Sequence, residues 1–165
     1  HCNHDDGFVA TSSIGKAPLG FVERVAAPVT WETLDDLATL RIGVVLGYAN
    51  TEAFDAAVAE GTLRVVASRD DSENLIKLSR GQVDIAIVDR LVLDYLARTD
   101  EQVRVAAQAL RFDERPLAVN DLYLCFRDDG DGRRLRDEVN AQIVRIDSAA
   151  MFTAYFEESF DSEAR

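Results

Sequence analysis

The sequence predicts an α/β fold built on a parallel β-sheet. Short β-prone runs alternate with helical segments from residue 40 onward, and the strands recur about every 20 residues. Helix-capping residues open the helices and glycines close them. Alternation of this kind produces parallel strands joined by right-handed crossovers, so we expect a parallel-sheet lobe in residues 40–110.

The first strand–helix unit begins with LRIGVVLG (40–47), a run rich in β-branched residues that predicts a strand. Asn50 and Thr51 are favourable N-cap residues for the following helix, whose apolar positions recur at helical spacing. Gly61 supplies the left-handed residue that ends such a helix.

The second and third units repeat this pattern. TLRVVAS (62–68) predicts a strand, and Asp70 followed three residues later by Glu73 predicts a capping box for a helix that ends at Gly81. VDIAIV (83–88) predicts the third strand, and LVLDYLART predicts the third helix.

The flanking regions predict further elements with less regular spacing. These are strands in DGFVATSS (6–13), GFVERV (20–25) and DLYLCFRDD (121–129), a short helix at 33–37, and two final helices near 132–146 and 148–160.

Composition excludes several classes of function. The formal charge of −12, from 30 acidic and 18 basic residues, argues against binding to nucleic-acid phosphates. No apolar run approaches the roughly 20 residues that span a bilayer, so we expect no membrane insertion. The N-terminal residues lack the features of a signal peptide, so the chain is either cytoplasmic or has lost a targeting segment.

The two cysteines, Cys2 and Cys125, do not form a disulfide framework. A single bridge and two thiols are both compatible with this count. Cys125 lies in the β-prone run YLCF, whose alternate residues should face a core, so we expect its side chain to be buried.

Polar residues follow each of the three predicted parallel strands. Ligands of such sheets bind beyond the carboxyl ends of the strands. The residues at these ends are Gly47–Thr51, Asp70-Asp71 and Asp89-Arg90.

The Gly47–Thr51 loop is a candidate anion site. A helix N-terminus offers free backbone N–H groups, and Gly47 lets a ligand approach the backbone. Tyr48 is placed to cover one face of a ligand, beside Asn50 and Thr51. An ordinary capped turn is the alternative.

Other chemistries have weaker support. His1, Cys2, His4 and Asp5 are metal-ligating residue types, but a mobile N-terminal segment without a site explains them much better. The two histidines of the chain lie in its first four residues, which disfavours histidine-based catalysis. The Asp70-Asp71 pair also occurs in phosphoacceptor receiver domains, although a helix cap explains it better. We therefore expect no catalytic residue, metal or cofactor.

Several motifs occur together at consistent spacing between about residues 28 and 160. They are W-E-T-L-D-D-L-x-x-L-R-I-G-V-V-L-G, a helix ending in A-E-G, and R-D-D-x-x-N-L-x-K-L-x-x-G-x-V-D-I-A-I-V-D-R. This order resembles the type 2 periplasmic solute-binding proteins, most closely the amino-acid-binding branch. The resemblance implies two α/β lobes linked by crossover strands.

The resemblance also implies how the chain is divided. Residues 1–27 correspond to a remnant of the first lobe and the outgoing crossover, and residues 28–112 to a complete α/β second lobe. Residues 113–165 correspond to the returning crossover strand and to C-terminal helices that pack on the first lobe. We expect the start of the first lobe to be missing from this sequence.

The resemblance assigns a binding role to three further side chains. Asp89 would accept hydrogen bonds from a ligand α-ammonium group, and it would also serve as an N-cap, since a capping carboxylate keeps free lone pairs. Ser13 and Lys16 have the spacing of the family's carboxylate clamp, with Lys in place of Arg. An ordinary polar turn is the alternative for this pair. Arg90 is expected to pair with a neighbouring charge or to lie as a charge at the rim of the cleft, without contacting the ligand directly.

These implications lead to a functional expectation. The chain would belong to a periplasmic, and so extracytoplasmic, solute-binding protein that delivers a small polar solute, such as an amino acid, to the membrane subunits of an ABC importer. Two alternatives remain on the same fold: an arogenate or prephenate dehydratase-like enzyme, and a receptor sensor domain.

Overall fold

A computed structural model describes residues 7–147, 150–151 and 154–155. Their strands are β1 (Phe8–Ala10), β2 (Gly15–Arg24), β3 (Arg41–Val45), β4 (Arg64–Ser68), β5 (Ile85–Asp89), β6 (Leu110–Leu122) and β7 (Cys125–Arg127). Their α-helices are α1 (Glu52–Ala59), α2 (Asp71–Ser79), α3 (Arg90–Thr99), α4 (Glu101–Ala107) and α5 (Gly130–Ile143), and a 3₁₀ turn covers Leu34–Leu37.

The chain divides into two compact units. The central unit comprises residues 18–119, and the terminal unit comprises residues from the ranges 1–17 and 120–165. The two boundaries fall inside β2 and β6, which therefore contribute residues to both units.

The central unit contains a five-stranded sheet in the order β4-β3-β5-β2-β6. Strand β3 pairs in parallel with both β4 and β5, which confirms the predicted parallel lobe. Strand β2, which includes the predicted GFVERV segment, pairs antiparallel with β5. The sheet is therefore mixed, with its three parallel strands on one side.

Strand β5 is buried on both faces. Its residues Ile85 and Ile87 belong to one hydrophobic cluster, with Phe54 of α1, whereas the alternating Ala86 and Val88 belong to another. Because side chains alternate across a strand, the two clusters lie on opposite faces of the sheet. This double burial explains why the sequence of β5 is continuously apolar.

The predicted helix starts are confirmed at α1 and α2. Thr51 Oγ1 accepts a hydrogen bond from the Phe54 amide at 3.2 Å, and Asp70 Oδ1 accepts one from the Glu73 amide at 2.8 Å. The Glu73 carboxylate accepts from the amide of Arg69, one residue before the cap.

Asn74 of α2 is fully buried against the backbone of β3. Its Nδ2 donates to the Ile87 carbonyl at 3.2 Å, while its Oδ1 has no hydrogen-bond partner. A Cβ at Gly43 would lie 2.2 Å from this oxygen, so the close approach of α2 to the sheet requires glycine there.

The terminal unit contains a two-stranded antiparallel sheet, β1–β7, and helix α5. Asp129 begins α5 by accepting a hydrogen bond from the Gly132 amide at 2.8 Å. Within this unit, the segment after β1 contacts the segment before β7, because Thr11 Oγ1 accepts a hydrogen bond from the Leu124 amide at 3.1 Å.

Several sequence predictions were wrong in detail. The strand predicted over 121–129 is divided, since β6 ends at Leu122 and β7 begins at Cys125. The helix predicted at 33–37 is a 3₁₀ turn over Leu34–Leu37. The helix predicted at 148–160 falls largely outside the described residues.

The expected burial of Cys125 is also wrong. Cys125 is exposed and disulfide-bonded, because β7 is a three-residue strand in a two-stranded sheet and leaves its side chain uncovered. Cys2 lies outside the described residues.

Within the part of the chain that the structure describes, no helix has the length and apolarity needed to cross a membrane.

Substitution of Gly43 tests the packing of α2 on the sheet. Gly43→Ala places a methyl group against Asn74 Oδ1, and we expect a loss of about 1–3 kcal/mol in the free energy of unfolding, as for other overpacked cores. The Asn74→Ala background removes that oxygen, so the same substitution should cost less there, with a coupling energy of about 0.5 kcal/mol or more. Urea denaturation measures both values.

Gly130→Ala, with no atom within 4 Å of the added Cβ, is the control. Equal costs in the two backgrounds would refute the packing argument.

Candidate functional site

The three parallel strands of the central unit end at one edge of its sheet. Parallel strands place their carboxyl ends together, and Val45 at the end of β3 pairs with Ser68 at the end of β4. Tyr48 and the Asp70-Asp71 pair lie beyond the ends of β3 and β4, and Asp89 is the last residue of β5. We call these four residues the acidic rim.

Tyr48 and Asp71 form a contact between two strand ends. The Tyr48 side chain is 60% exposed, and its hydroxyl donates a hydrogen bond to the half-buried Asp71 carboxylate. Burial raises the pKa of Asp71 above its ordinary value, the hydrogen bond from Tyr48 opposes this rise, and the charges of Asp70 and Asp89 add to it. Residues from three separate segments therefore share one electrostatic environment.

Asp89 is the N-cap of α3. Its Oδ1 accepts a hydrogen bond from the Leu91 amide at 2.7 Å. Its second oxygen, Oδ2, has no hydrogen bond to any residue in the described ranges. The capping function is thus confirmed, and one oxygen of the same carboxylate stays free to accept from a ligand.

The Gly47–Thr51 loop is a capped turn. Gly47 has a φ of 82°, in the left-handed region, and a Cβ there would meet no atom within 4 Å. Its backbone conformation therefore accounts for glycine without a ligand. Asn50 donates to Asp55 from both its amide N–H, at 3.0 Å, and its side-chain Nδ2, at 3.3 Å.

The charge around this loop disfavours a bound anion. Asp55 and Glu52 lie in the first turn of α1, where carboxylates already interact with the positive end of the helix dipole. Anion binding by Tyr48, Asn50 and Thr51 stays a prediction.

Ser13 and Lys16 come together in the terminal unit around Asp121. Lys16 Nζ and Ser13 Oγ each donate to Asp121 Oδ1 at 2.8 Å. The hydrogen bond to Asp121 raises the pKa of Lys16, and the same bond, followed by that from Ser13, lowers the pKa of Asp121. The positive charge predicted to clamp a ligand carboxylate is therefore paired inside its own unit.

Arg90 pairs with neighbouring groups, as predicted. Its Nε lies 3.3 Å from Asp94 Oδ1, one helical turn along α3, and its guanidinium lies 5.3 Å from the centroid of the Phe112 ring.

Sequence reasoning missed the roles of Asp71 and Asp121. Asp71 follows a favourable cap residue, so the sequence predicts it as part of the cap, whereas in the structure Asp70 alone supplies the capping oxygen. Asp121 lies 105 residues from Lys16, and no local pattern reports a pairing at that separation.

The described ranges contain no group of three or more His, Cys, Asp or Glu side chains arranged to hold a metal ion. The weaker metal alternative at His1, Cys2, His4 and Asp5 lies outside those ranges.

Comparison with known proteins gives matches among solved structures. No family model and no curated protein matches the sequence. The GluR0 ligand-binding core in complex with L-glutamate aligns with a TM-score of 0.68 at 17% identity, covering 94% of this chain and 65% of that one. A mutant of ArgBP from T. maritima aligns with a TM-score of 0.66 at 15% identity, covering 96% and 64%.

A third solved structure is described as an amino acid ABC transporter substrate-binding protein, AbpA from Streptococcus pneumoniae bound to L-arginine. Its TM-score is 0.66 at 15% identity, and the alignment covers 95% of this chain and 62% of AbpA. The chain has the type 2 periplasmic binding protein fold that the sequence resemblance implied. It spans less than two thirds of the length of each of these three neighbours.

The pH dependence of stability tests the electrostatics of the acidic rim. The pKa of Asp71 is raised in the folded state, so its ionised form lowers stability as pH rises above the ordinary value of 3.8. Asp71→Asn should therefore stabilise the protein at neutral pH, by up to about 1 kcal/mol for a partly exposed group. This gain should disappear as the pH falls to about 4.

Urea denaturation between about pH 4 and pH 7 measures this difference. Glu114→Gln, at an exposed carboxylate of β6 in the same unit, is the matched control and should leave the pH profile unchanged. A gain for Asp71→Asn that does not vary with pH would contradict the proposed cause.

Proposed function

We propose that this chain forms the ligand-binding part of an extracytoplasmic solute-binding protein that serves an ABC importer, and that it binds a small polar solute such as an amino acid. The observation that carries the proposal is the acidic rim, where the half-buried carboxylates of Asp71 and Asp89 lie at the carboxyl ends of two parallel strands and Tyr48 follows the third. Such ends are the usual ligand-binding edge of an α/β sheet.

The rim favours the cationic end of a ligand. Neither Asp71 nor Asp89 forms an ion pair with a Lys or Arg of the described residues, although each is half-buried. A ligand ammonium group would supply the missing positive charge through charge-assisted hydrogen bonds. Asp89 Oδ2 is the acceptor for this contact, because Oδ1 is already bonded to the Leu91 amide.

Tyr48 supplies the second element of the proposed site. An exposed aromatic ring beside carboxylates packs against the apolar part of a ligand and attracts a cation over its face. Asn50 and Thr51 complete the loop. A ligand contact by Ser13 or Lys16 would have to compete with Asp121 for the same donors.

The lobes of the proposed protein follow the two units. We assign the central unit to the second lobe, predicted from sequence as residues 28–112. We assign the terminal unit to the first-lobe portions, predicted within residues 1–27 and 113–165.

A periplasmic location is part of the proposal. Cys125 is disulfide-bonded, and disulfides persist mainly in oxidising compartments outside the cytoplasm. This supports an extracytoplasmic site of action, where the membrane subunits of an importer would be the partner.

A receptor sensor domain is the second candidate, because the GluR0 ligand-binding core has the same fold. The two candidates share the site and differ in the sequence to which the chain is joined. Transmembrane segments in the same open reading frame would favour the sensor. A dehydratase-like enzyme would instead convert the bound solute to a product, whereas a binding protein returns it unchanged.

Substitution of Asp89 tests the ammonium contact. Asp89→Asn removes the negative charge but keeps an oxygen that can cap α3, so the melting temperature should be nearly unchanged. The free energy of ligand binding should weaken by about 1–4 kcal/mol, the range of the attraction between two unit charges at 4 Å between the dielectric constant of water and an effective value of 20. A thermal-shift screen with amino acids, including L-arginine and L-glutamate, followed by calorimetry, measures both effects.

Asp129→Asn is the matched control, since the Asp129 carboxylate also caps a helix, by accepting from the Gly132 amide, and lies in the terminal unit. It should leave affinity unchanged. Full ligand stabilisation in Asp89→Asn would reduce Asp89 to a cap, and the absence of any stabilising amino acid in the product of the complete open reading frame would reject the proposed ligand class.

A further inference from the structure

Strand β4 lies at one edge of the five-stranded sheet of the central unit. Among the described residues, it pairs with β3 alone. The Ser68 carbonyl accepts a hydrogen bond from the Leu46 amide at 2.9 Å, so Ser68 and every second residue before it direct their backbone groups toward β3. Val65 and Ala67 therefore direct their N–H and C=O groups away from the sheet.

Most of these outward groups are unpaired. Lys77 Nζ of α2 donates to the Ala67 carbonyl at 2.9 Å, which leaves the Val65 N–H, the Val65 carbonyl and the Ala67 N–H without a partner in the described ranges. Val65 is 37% exposed, and β4 contains neither a proline nor a bulge that would prevent further pairing. Unpaired groups of this kind are a template for an added strand.

The two faces of this strand edge differ in chemistry. Val66 packs on the buried cluster that includes residues of α2, and Arg64, two residues earlier, lies on the same face. Val65 lies on the opposite face, where its register partner Ile42 belongs to the cluster on the side of α1. The edge therefore has one charged face and one apolar face.

Lys77 and Arg80 extend the positive charge on the face of Arg64. Lys77 reaches the strand edge, and Arg80 follows it by three residues at the end of α2, on the same side of the helix. Arg41 is the register partner of Arg64 and donates at 2.9 Å to the carbonyl of Gly81, the residue after Arg80. Arg64 and Arg80 thus lie at the same end of the sheet. We call β4 together with Lys77 and Arg80 the basic edge.

Two charges of the basic edge have no counterion. Lys77 is paired within α2, whereas the side chains of Arg64 and Arg80 form no ion pair or hydrogen bond with any described residue. Glu101 lines a cavity together with Arg80, but its carboxylate pairs with Arg104. Positive charge is therefore uncompensated beside an open strand edge, in a chain whose formal charge is −12.

We propose that the basic edge is a docking site for an extended acidic segment of a partner protein, which adds beside β4 as a sixth strand of the sheet. Alternation along a strand defines the chemistry of that segment. Its residues on the face of Arg64 are acidic, and the intervening residues, which meet Val65, are apolar. Main-chain hydrogen bonds supply affinity and the charges supply selectivity.

Charge disfavours a second copy of this chain as the occupant. Pairing of two β4 strands would bring Arg64, Lys77 and Arg80 of one copy beside the same three residues of the other. Like charges on facing strands destabilise a sheet, and charged side chains at an edge protect it against unselective pairing. The same charges attract an acidic strand.

Synthetic peptides test the proposal on the product of the complete open reading frame that contains this sequence. The probe is a fluorescently labelled peptide of alternating Glu and Val, and fluorescence anisotropy measures its binding. An alternating Lys and Val peptide reverses the charge, and an all-Glu peptide keeps negative charge without the apolar alternation. We expect the Glu–Val peptide to bind at least about tenfold more tightly than either control peptide.

Two sets of substitutions separate strand pairing from charge. Val65→Pro removes an outward N–H at an edge position where proline is tolerated, and Arg64→Gln with Arg80→Gln removes the two unpaired charges. Each set should weaken binding of the Glu–Val peptide by about tenfold or more. Arg104→Gln with Arg134→Gln is the matched control, because it removes two exposed arginines that are already paired, and it should leave the affinity unchanged. Circular dichroism verifies that each variant is folded.

Hydrogen–deuterium exchange needs no substitution, and slower exchange over residues 64–68 in the presence of the Glu–Val peptide would support the proposal. Absence of binding, equal binding of the three peptides, or binding that neither set of substitutions weakens would overturn it. A dimer in sedimentation that Val65→Pro dissociates would identify a second copy as the occupant and also overturn it. Binding to phosphatidylglycerol vesicles through the two arginines, without binding of the peptide, would identify a lipid surface instead. None of these results depends on solute binding.

Discussion

The burial of β5 on both faces is the constraint on which the central unit depends. Ile85 and Ile87 fill one face of the sheet and Ala86 and Val88 fill the other, so a polar side chain at any of residues 85–88 would be buried without compensation. The first charged side chain of β5 is therefore that of Asp89, at the end of the strand. The same residue begins α3, and its carboxylate is held in place by the Leu91 amide. The burial of β5 in the core therefore also determines where the Asp89 carboxylate of the candidate site lies.

The acidic rim brings carboxylates together at a cost in charge repulsion, although Asp70 and Asp89 also cap helices. Asp71 is half-buried beside two other aspartates, and its pKa is raised by burial and by their charges. Such an arrangement lowers stability at neutral pH unless a cation binds. Titratable groups with shifted pKa values at the ligand-binding edge of a sheet are typical of functional sites.

Local signals in the sequence were sufficient for the parallel units. Caps such as Thr51 and Asp70 and the stop glycine Gly81 act within a few residues, so the pattern alone located α1, α2 and the strands between them. Pairings between distant segments could not be predicted in this way. The antiparallel position of β2 depends on strand order, and the contacts of Lys16 with Asp121 and of Tyr48 with Asp71 depend on the finished fold. The sequence did not predict the exposure of Cys125 for the same reason. Alternation of side chains along a strand predicts that the strand has two faces, but not whether another element packs on either of them.

Exposure limits what the acidic rim can achieve alone. Two unit charges at 4 Å attract by about 1 kcal/mol in water and by about 4 kcal/mol at an effective dielectric constant of 20. Tyr48 is 60% exposed, so a cation beside the acidic rim stays largely in contact with water and its attraction to a carboxylate is close to the lower value. The central unit orients a ligand through Asp89, but strong binding requires that water be excluded from the contact. The affinity of the acidic rim for a ligand therefore depends on how much polypeptide covers the rim. Its preference for a cation does not depend on that cover, because it comes from the negative charges of the carboxylates.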